Sequence, residues 1–272
     1  MINILTKAIA LLTTVTLLTG PQAADAEKQL GLTSRNDSGV SEEVKDSEVL
    51  TAPVDSVQLC KDITIGWNLG NTLDATGSGI NSETSWGNPK ATKELILAVK
   101  DAGFDAVRIP TTWFNHVDSN FNVDSAWFDR VQEVVDYSYD EGMYVILNVH
   151  HENWNDPYQD TLKDVKKKIK KLWTQIAERF EDYGERLIFE GMNEPRWKNT
   201  NYEWNGGNSE GRSVVNEYNK CFVETVRATG GNNRYRALMI PTYAASSSAL
   251  EGFTVPDDKS LIVSIHAYSP YN

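Results

Sequence analysis

The sequence predicts an α/β fold, a (β/α)8 TIM barrel with only about six of the eight βα units present in this chain. Two observations carry that reading. Short runs rich in Val, Ile and Leu, at residues 63–69, 105–109, 144–150, 187–192, 237–240 and 261–266, alternate with longer stretches of helical periodicity. The roughly 219 residues from Val54 onward hold six strands at a repeat of about forty, whereas a complete eightfold barrel takes about 250 residues. The chain stops at Pro270-Tyr271-Asn272, just past a strand end and before any closing helix.

Residues 1–26 carry Lys7, the apolar stretch Ala8 to Leu18 and a small-residue end at Ala24-Asp25-Ala26, the pattern of a cleaved secretory signal peptide. The apolar stretch is about eleven residues and is interrupted by threonines, while a membrane span needs about twenty. A secreted, extracellular protein is therefore expected, with no membrane attachment after cleavage. Residues 27–53 are acidic, rich in Ser and free of aromatics, so they are expected to be a flexible linker. Residues 54–272 form the expected folded domain, incomplete at its C-terminal side.

Between the strands, helices are predicted at 93–102, 125–141, 161–183 and 213–229, each followed by a glycine that suits a helix stop: Gly103, Gly142, Gly184 and Gly230. In the third of these, Leu162, Val165, Ile169, Leu172, Trp173, Ile176 and Phe180 recur at three and four and define a buried face. Its lysine runs at 166–168 and 170–171 then fall mostly on the solvated side. Trp127 and Trp173 lie on helices and are expected in the core.

The chain has 272 residues, 40% hydrophobic and 24% charged, and 26 Lys and Arg against 38 Asp and Glu give a formal charge of −12. So acidic a surface repels a phosphate backbone, which argues against nucleic acid as a partner. Two cysteines, Cys60 and Cys221, are too few for a disulfide scaffold or a zinc knuckle and read as buried thiols.

The chemistry gathers at the C-terminal ends of the strands, where barrel active sites lie. The first strand ends in Asn68-Leu69-Gly70-Asn71-Thr72, the second in Arg108-Ile109-Pro110, and the third in Asn148-Val149-His150-His151-Glu152. The fourth ends in Asn193-Glu194-Pro195 and the sixth in His266-Ala267-Tyr268. Pro195 stops its strand, leaving Glu194 at a part-apolar mouth where a carboxyl can keep its proton near neutrality and act as a general acid. Period-two alternation puts Ile146, Asn148 and His150 on one face of the third strand. Trp113, Trp154, Trp197 and Trp204 follow strand ends in loops, where a flat ring can stack on a sugar or simply pack.

The stretches GWNLGNTLDA (66–75), SWGNP (85–89), VRIPTTW (107–113), VILNVHHE (145–152), LIFEGMNEPR (187–196) and IVSIHAYSPYN (262–272) resemble the cellulase-type glycoside hydrolases of family 5. The resemblance implies a complete (β/α)8 barrel that hydrolyses β-1,4-glucan with retention, needing no cofactor or metal. It implies Glu194 as acid/base, Asn193 as the neighbour that bonds the sugar 2-hydroxyl, and Arg108 as the residue that orients the nucleophile. His150 and His266 would line the site, with Tyr268 beside the nucleophile. Asn71, Trp113, His151, Trp154, Trp197 and Trp204 are the candidate substrate contacts, and β-glucan is the expected partner of a monomer.

One departure from the family pattern stands out. The family's nucleophile is a Glu at the end of a seventh strand, and no such strand occurs before Asn272. A retaining mechanism needs two carboxyl groups about 5–5.5 Å apart. The 272-residue chain is therefore expected to be an inactive, unstable fragment, with the edges of its first and sixth strands unpaired. Any binding or docking module would lie beyond residue 272. Three rivals are a chain completed by Glu152 as second carboxylate, a metal-dependent hydrolase using His150, His266 and a carboxylate, and a glycan-binding protein without catalysis.

Overall fold

A computed structural model describes residues 10–15 and 49–268. The signal-peptide and linker readings fall almost wholly outside these residues, as do the last four residues of the final motif. Seven strands form one parallel sheet: β1 (Ala10–Val15), β2 (Gly66–Asn68), β3 (Ala106–Ile109), β4 (Tyr144–Asn148), β5 (Leu187–Glu190), β6 (Leu238–Pro241) and β7 (Leu261–Ala267). Their order is β1-β7-β6-β5-β4-β3-β2, so the six predicted strands run in chain order as a curled part of a barrel.

β1 was not expected in the sheet. It pairs in parallel with β7, Ala10 opposite Ile262 through Val15 opposite Ala267. The expectation that both sheet edges lie unpaired is corrected at this side: the ladder groups of β7 take up a six-residue apolar and threonine-rich segment of good strand propensity.

Among the described residues five α-helices cover the sheet: α1 (Ser56–Asp62), α2 (Lys93–Asp101), α3 (Ser125–Tyr139), α4 (Leu162–Arg179) and α5 (Ser209–Ala228). Four have side-chain caps, from Asp55 to α1, Thr92 to α2, Asp124 to α3 and Asn208 to α5. Asn208 explains why α5 begins four residues before the predicted start. Helix α4 ends four residues before the predicted stop, at Arg179, because the carbonyls of Phe180 and Tyr183 turn to the guanidinium of Arg236. Ahead of Val54, Leu50 N–H donates to Asn232 Oδ1 at 2.7 Å. None of the helices among the described residues is long and apolar enough to cross a membrane.

Two apolar cores follow from the strand alternation. Outward-facing Val107, Val145, Leu147, Leu187 and Phe189 pack beneath the helices with Trp113, Trp127, Trp173 and Phe222. Inward-facing Ala106, Ile146, Ile188, Met239 and Ile262 meet Val54, Leu59 and Ile63 and form a closed floor inside the curl. Cys221 is buried, Cys60 only half-buried, and both are free thiols.

Candidate active site

Above the apolar floor, the next inward residue is polar in β2, β3, β4, β5 and β7, while β6 supplies Pro241. Register puts Asn68 beside Arg108, and Asn148 beside Glu190. Glu190 is fully buried and accepts from Arg108 Nε at 2.8 Å, Asn148 Nδ2 at 2.9 Å and Ser264 Oγ at 2.9 Å. The Arg108 fork also donates to Asn68 Oδ1 at 2.9 Å and Asn193 Oδ1 at 2.8 Å. A buried charge is tolerated only when paired and hydrogen-bonded, and this layer meets that condition. It is a rigid polar platform laid across five strands.

The mouth sits on that platform. Asn193 N–H donates to the Val149 carbonyl at 2.9 Å, and His150 N–H to the Thr111 carbonyl at 2.8 Å, so adjacent strand ends are tied together. Because Asn193 spends its Oδ1 on Arg108, its Nδ2 hydrogens are left as donors. His266 Nδ1 lies 2.6 Å from Glu194 Oε1, Arg196 Nη1 lies 3.7 Å from Glu194 Oε2, and Tyr268 OH reaches Oε1 at 3.5 Å. Tyr268 thus stands beside Glu194. Burial pushes the Glu194 carboxyl up, but His266, Arg196 and Arg108 outweigh it and hold the group below the usual carboxylate range. This corrects the expectation of a carboxyl that keeps its proton near neutrality: the cations at the mouth win over its apolar part.

A second group lines the rim. His151 Nε2 lies 4.0 Å from buried Asp74 Oδ2, and its ring is 5.4 Å from the half-exposed Trp86 ring. Asn71 holds a left-handed backbone, φ 59°, at the turn leading to Asp74. Trp204 is 60% exposed and carries the Arg196 guanidinium 3.9 Å from its ring centroid. Trp154 is half-buried, packs edge-on to Phe121 and donates to Glu152 at 2.6 Å.

Two of the tryptophans expected at the substrate are placed otherwise. Trp113 is fully buried, its indole N–H on the Asn148 carbonyl and its ring against Phe128, so it offers no face to a sugar. Trp197 is 9% exposed, stacked on Tyr158 with its N–H on the Pro157 carbonyl. Both follow strand ends in sequence, but each indole N–H finds a carbonyl within the protein. Glu152 is buried too, accepting from Trp113 N–H at 2.8 Å and from the Trp154 indole; burial pushes its carboxyl up to about 8. It braces the loop and offers no carboxylate to the mouth.

Asp74, His150 and His151 bring ligand atoms within 4.8 Å of one another. Within that trio His150 Nδ1 is already engaged by the Asn148 amide at 3.0 Å.

A family model described as Cellulase (glycosyl hydrolase family 5) matches residues 73–272. The chain belongs to glycosyl hydrolase family 5. Among family 5 relatives, Endoglucanase A of Clostridium longisporum is 53% identical over 224 residues, which are 79% of this chain and 43% of that protein. Endoglucanase A of Ruminococcus albus is 51% identical, covering 80% of this chain and 62% of its own. The chain thus spans about half the length of these relatives. A broad-specificity GH5-4 endoglucanase from Ruminococcus champanellensis, solved with bound cellotriose, superposes with a TM-score of 0.80 at 51% identity, covering 83% of this chain and 69% of that one. The six-stranded curl is accordingly part of a family 5 (β/α)8 barrel.

Sequence reasoning passed over Glu190, Asn68, Asp74 and Trp86 as site residues. Glu190 had a readable signal: a carboxylate at the end of the apolar strand Leu187-Ile188-Phe189-Glu190, in phase with inward Ile188. Trp86 had none, since its exposure depends on the fold of the 3-10 turn at Ile80–Thr84 that precedes it.

Proposed function

We propose that the protein is an endo-β-1,4-glucanase that cleaves cellulose and related β-glucans with retention, Glu194 serving as acid/base. The observation that carries this reading is the placement of Glu194 on the platform of Arg108, Glu190 and Asn193, in contact with His266 and Tyr268, in a chain of family 5. Glu194 protonates the leaving oxygen and then takes a proton from water, while Asn193 Nδ2 donates to the sugar beside the cleaved bond.

A retaining double displacement needs an attacking carboxylate as well. We place it on a seventh strand beyond residue 272, where the unused Nη1 hydrogen of Arg108 and the Tyr268 hydroxyl can receive it. A carboxylate there also resolves the low pKa of Glu194, because a like charge about 5 Å away favours the protonated form. Exposed Trp204, beside Arg196, and Trp86, beside His151, provide flat faces for the glucan. Relatives titled broad-specificity and xyloglucan-specific endoglucanase make mixed-linkage glucan and xyloglucan further substrates to test.

Secretion is proposed from the pattern of residues 1–26, a docking or binding module beyond residue 272 from the greater length of the relatives, and a monomer as the working state. The test compares reducing-sugar release from carboxymethylcellulose and barley β-glucan by the 272-residue chain and by a chain extended through the downstream reading frame. Activity in the extended form alone is expected. Activity in the short form would overturn the placement of the nucleophile.

A further inference from the structure

We propose that Asn148 and Glu190 are positioning residues that lock His150 in a single neutral tautomer, with its proton on Nε2, so that it presents an N–H donor to an oxygen of the substrate. The Asn148 amide is fixed at both of its polar atoms. Its Oδ1 accepts from Thr111 N–H at 3.1 Å, and its Nδ2 donates to Glu190 Oε2 at 2.9 Å. Turned over, the amide would set an NH2 against an N–H and an oxygen against a carboxylate, so only one orientation is compatible with both neighbours.

Glu190 cannot yield. Its Oε2 is also held by Arg108 and its Oε1 by Ser264, and the carboxylate is buried. The second hydrogen of Asn148 Nδ2 therefore points to His150 Nδ1, 3.0 Å away, and that nitrogen must accept. A neutral imidazole carries one N–H, which is then on Nε2. Protonation would place a second hydrogen between Nδ1 and the amide; burial and the charge of Arg108 oppose it as well, holding the ring well below the ordinary histidine range.

Among the described residues no hydrogen bond is made to His150 Nε2. The donor is thus fixed by a relay that runs from Arg108 through Glu190 and Asn148, on a ring that brings a nitrogen within 4.8 Å of ligand atoms of Asp74 and His151. A sugar hydroxyl or ether oxygen is the partner that such a donor suits. This last step rests on the glucan reading of the cleft, whereas the tautomer does not.

Long-range 1H–15N correlation spectra of the histidine rings in the full 272-residue chain test the proposal, His150 being assigned by the signals lost in His150→Gln. The expected result is an unprotonated Nδ1 and a protonated Nε2. In Asn148→Leu nothing donates to Nδ1, so the single-tautomer pattern should give way to a mixture. A wild-type spectrum with the proton on Nδ1, or a folded Asn148→Leu with the wild-type pattern, would overturn the relay, and the wild-type spectrum decides even if the variant does not fold. Cellotriose should then shift the His150 Hε2 resonance; an unmoved resonance with the tautomer intact would overturn the sugar contact alone.

Discussion

Nδ1 of His266 lies 2.6 Å from Oε1 of Glu194, with both side chains about nine-tenths buried. The pair joins the last strand, β7, to the loop after β5, and it decides the charge of the proposed acid/base. Burial alone would favour a protonated Glu194; the His266 contact, with Arg196 and Arg108 behind it, reverses the balance.

Replacing His266 by Asn should therefore raise the pKa of Glu194. A carboxyl held low in the folded chain contributes stability above its unfolded pKa, and that contribution is lost as pH falls through the folded value. His266→Asn should shrink the contribution, and in the full-length enzyme it should move the alkaline limb of the pH–rate profile, set by the acid, to higher pH. A 13C titration of the Glu194 carboxyl in the two proteins checks the direction.

Trp204→Ala tests the exposed platform. The ring is 60% exposed and is held from one side by Arg196. Covering one indole face with a sugar removes enough apolar area for about 2 kcal/mol, so KM for long glucans should rise roughly thirty-fold with kcat little changed. Kinetics of the full-length enzyme on cello-oligosaccharides of increasing length would show the effect only where the chain reaches Trp204.

His116 makes stability depend on pH. Its ring stacks on Trp127 with centroids 3.6 Å apart, Nε2 is 3.0 Å from Ser82 Oγ, and burial pushes its pKa down to about 4. The unfolded chain binds this proton near pH 6.5 and the folded chain only near 4, so stability should fall as pH drops through that window. His116→Phe should flatten the dependence in urea denaturation series run across it.

Arg236 is fully buried and donates five hydrogen bonds, to the carbonyls of Phe180, Tyr183, Gly184 and Leu187 and to Asn233 Oδ1. It stitches the end of α4 to the start of β5. Arg236→Met removes five charge-assisted hydrogen bonds, although the Phe180, Tyr183 and Gly184 carbonyls keep weaker ones from Tyr183 N–H, Asn232 Nδ2 and Leu187 N–H, and should cost about 3–5 kcal/mol, read as a lower denaturation midpoint.

Strand positions and most of the mouth were legible in the sequence because both depend on local pattern. Period two placed Asn148 and His150 on the inner face with Ile146, and Asn-Glu-Pro marked Glu194 at a strand end. What escaped depends on contacts far apart in the chain. Glu194's ionisation is set by His266, seventy-two positions away, and Trp113 is buried by residues of the next strand and helix. α1 is only seven residues long, too short for helical periodicity to show it, although Asp55 caps it as expected of a helix start. The pairing of β1 with β7 joins segments some 250 residues apart, beyond the reach of any local signal.

The central claim is that Glu194 is the acid/base of a glucan hydrolase. Reducing-sugar release from carboxymethylcellulose by the full-length protein and its Glu194→Gln variant tests it most directly, with binding of cello-oligosaccharide measured alongside. The account predicts a fall in turnover of about 10²–10⁴-fold with binding retained. Turnover close to that of the unmodified protein would contradict it.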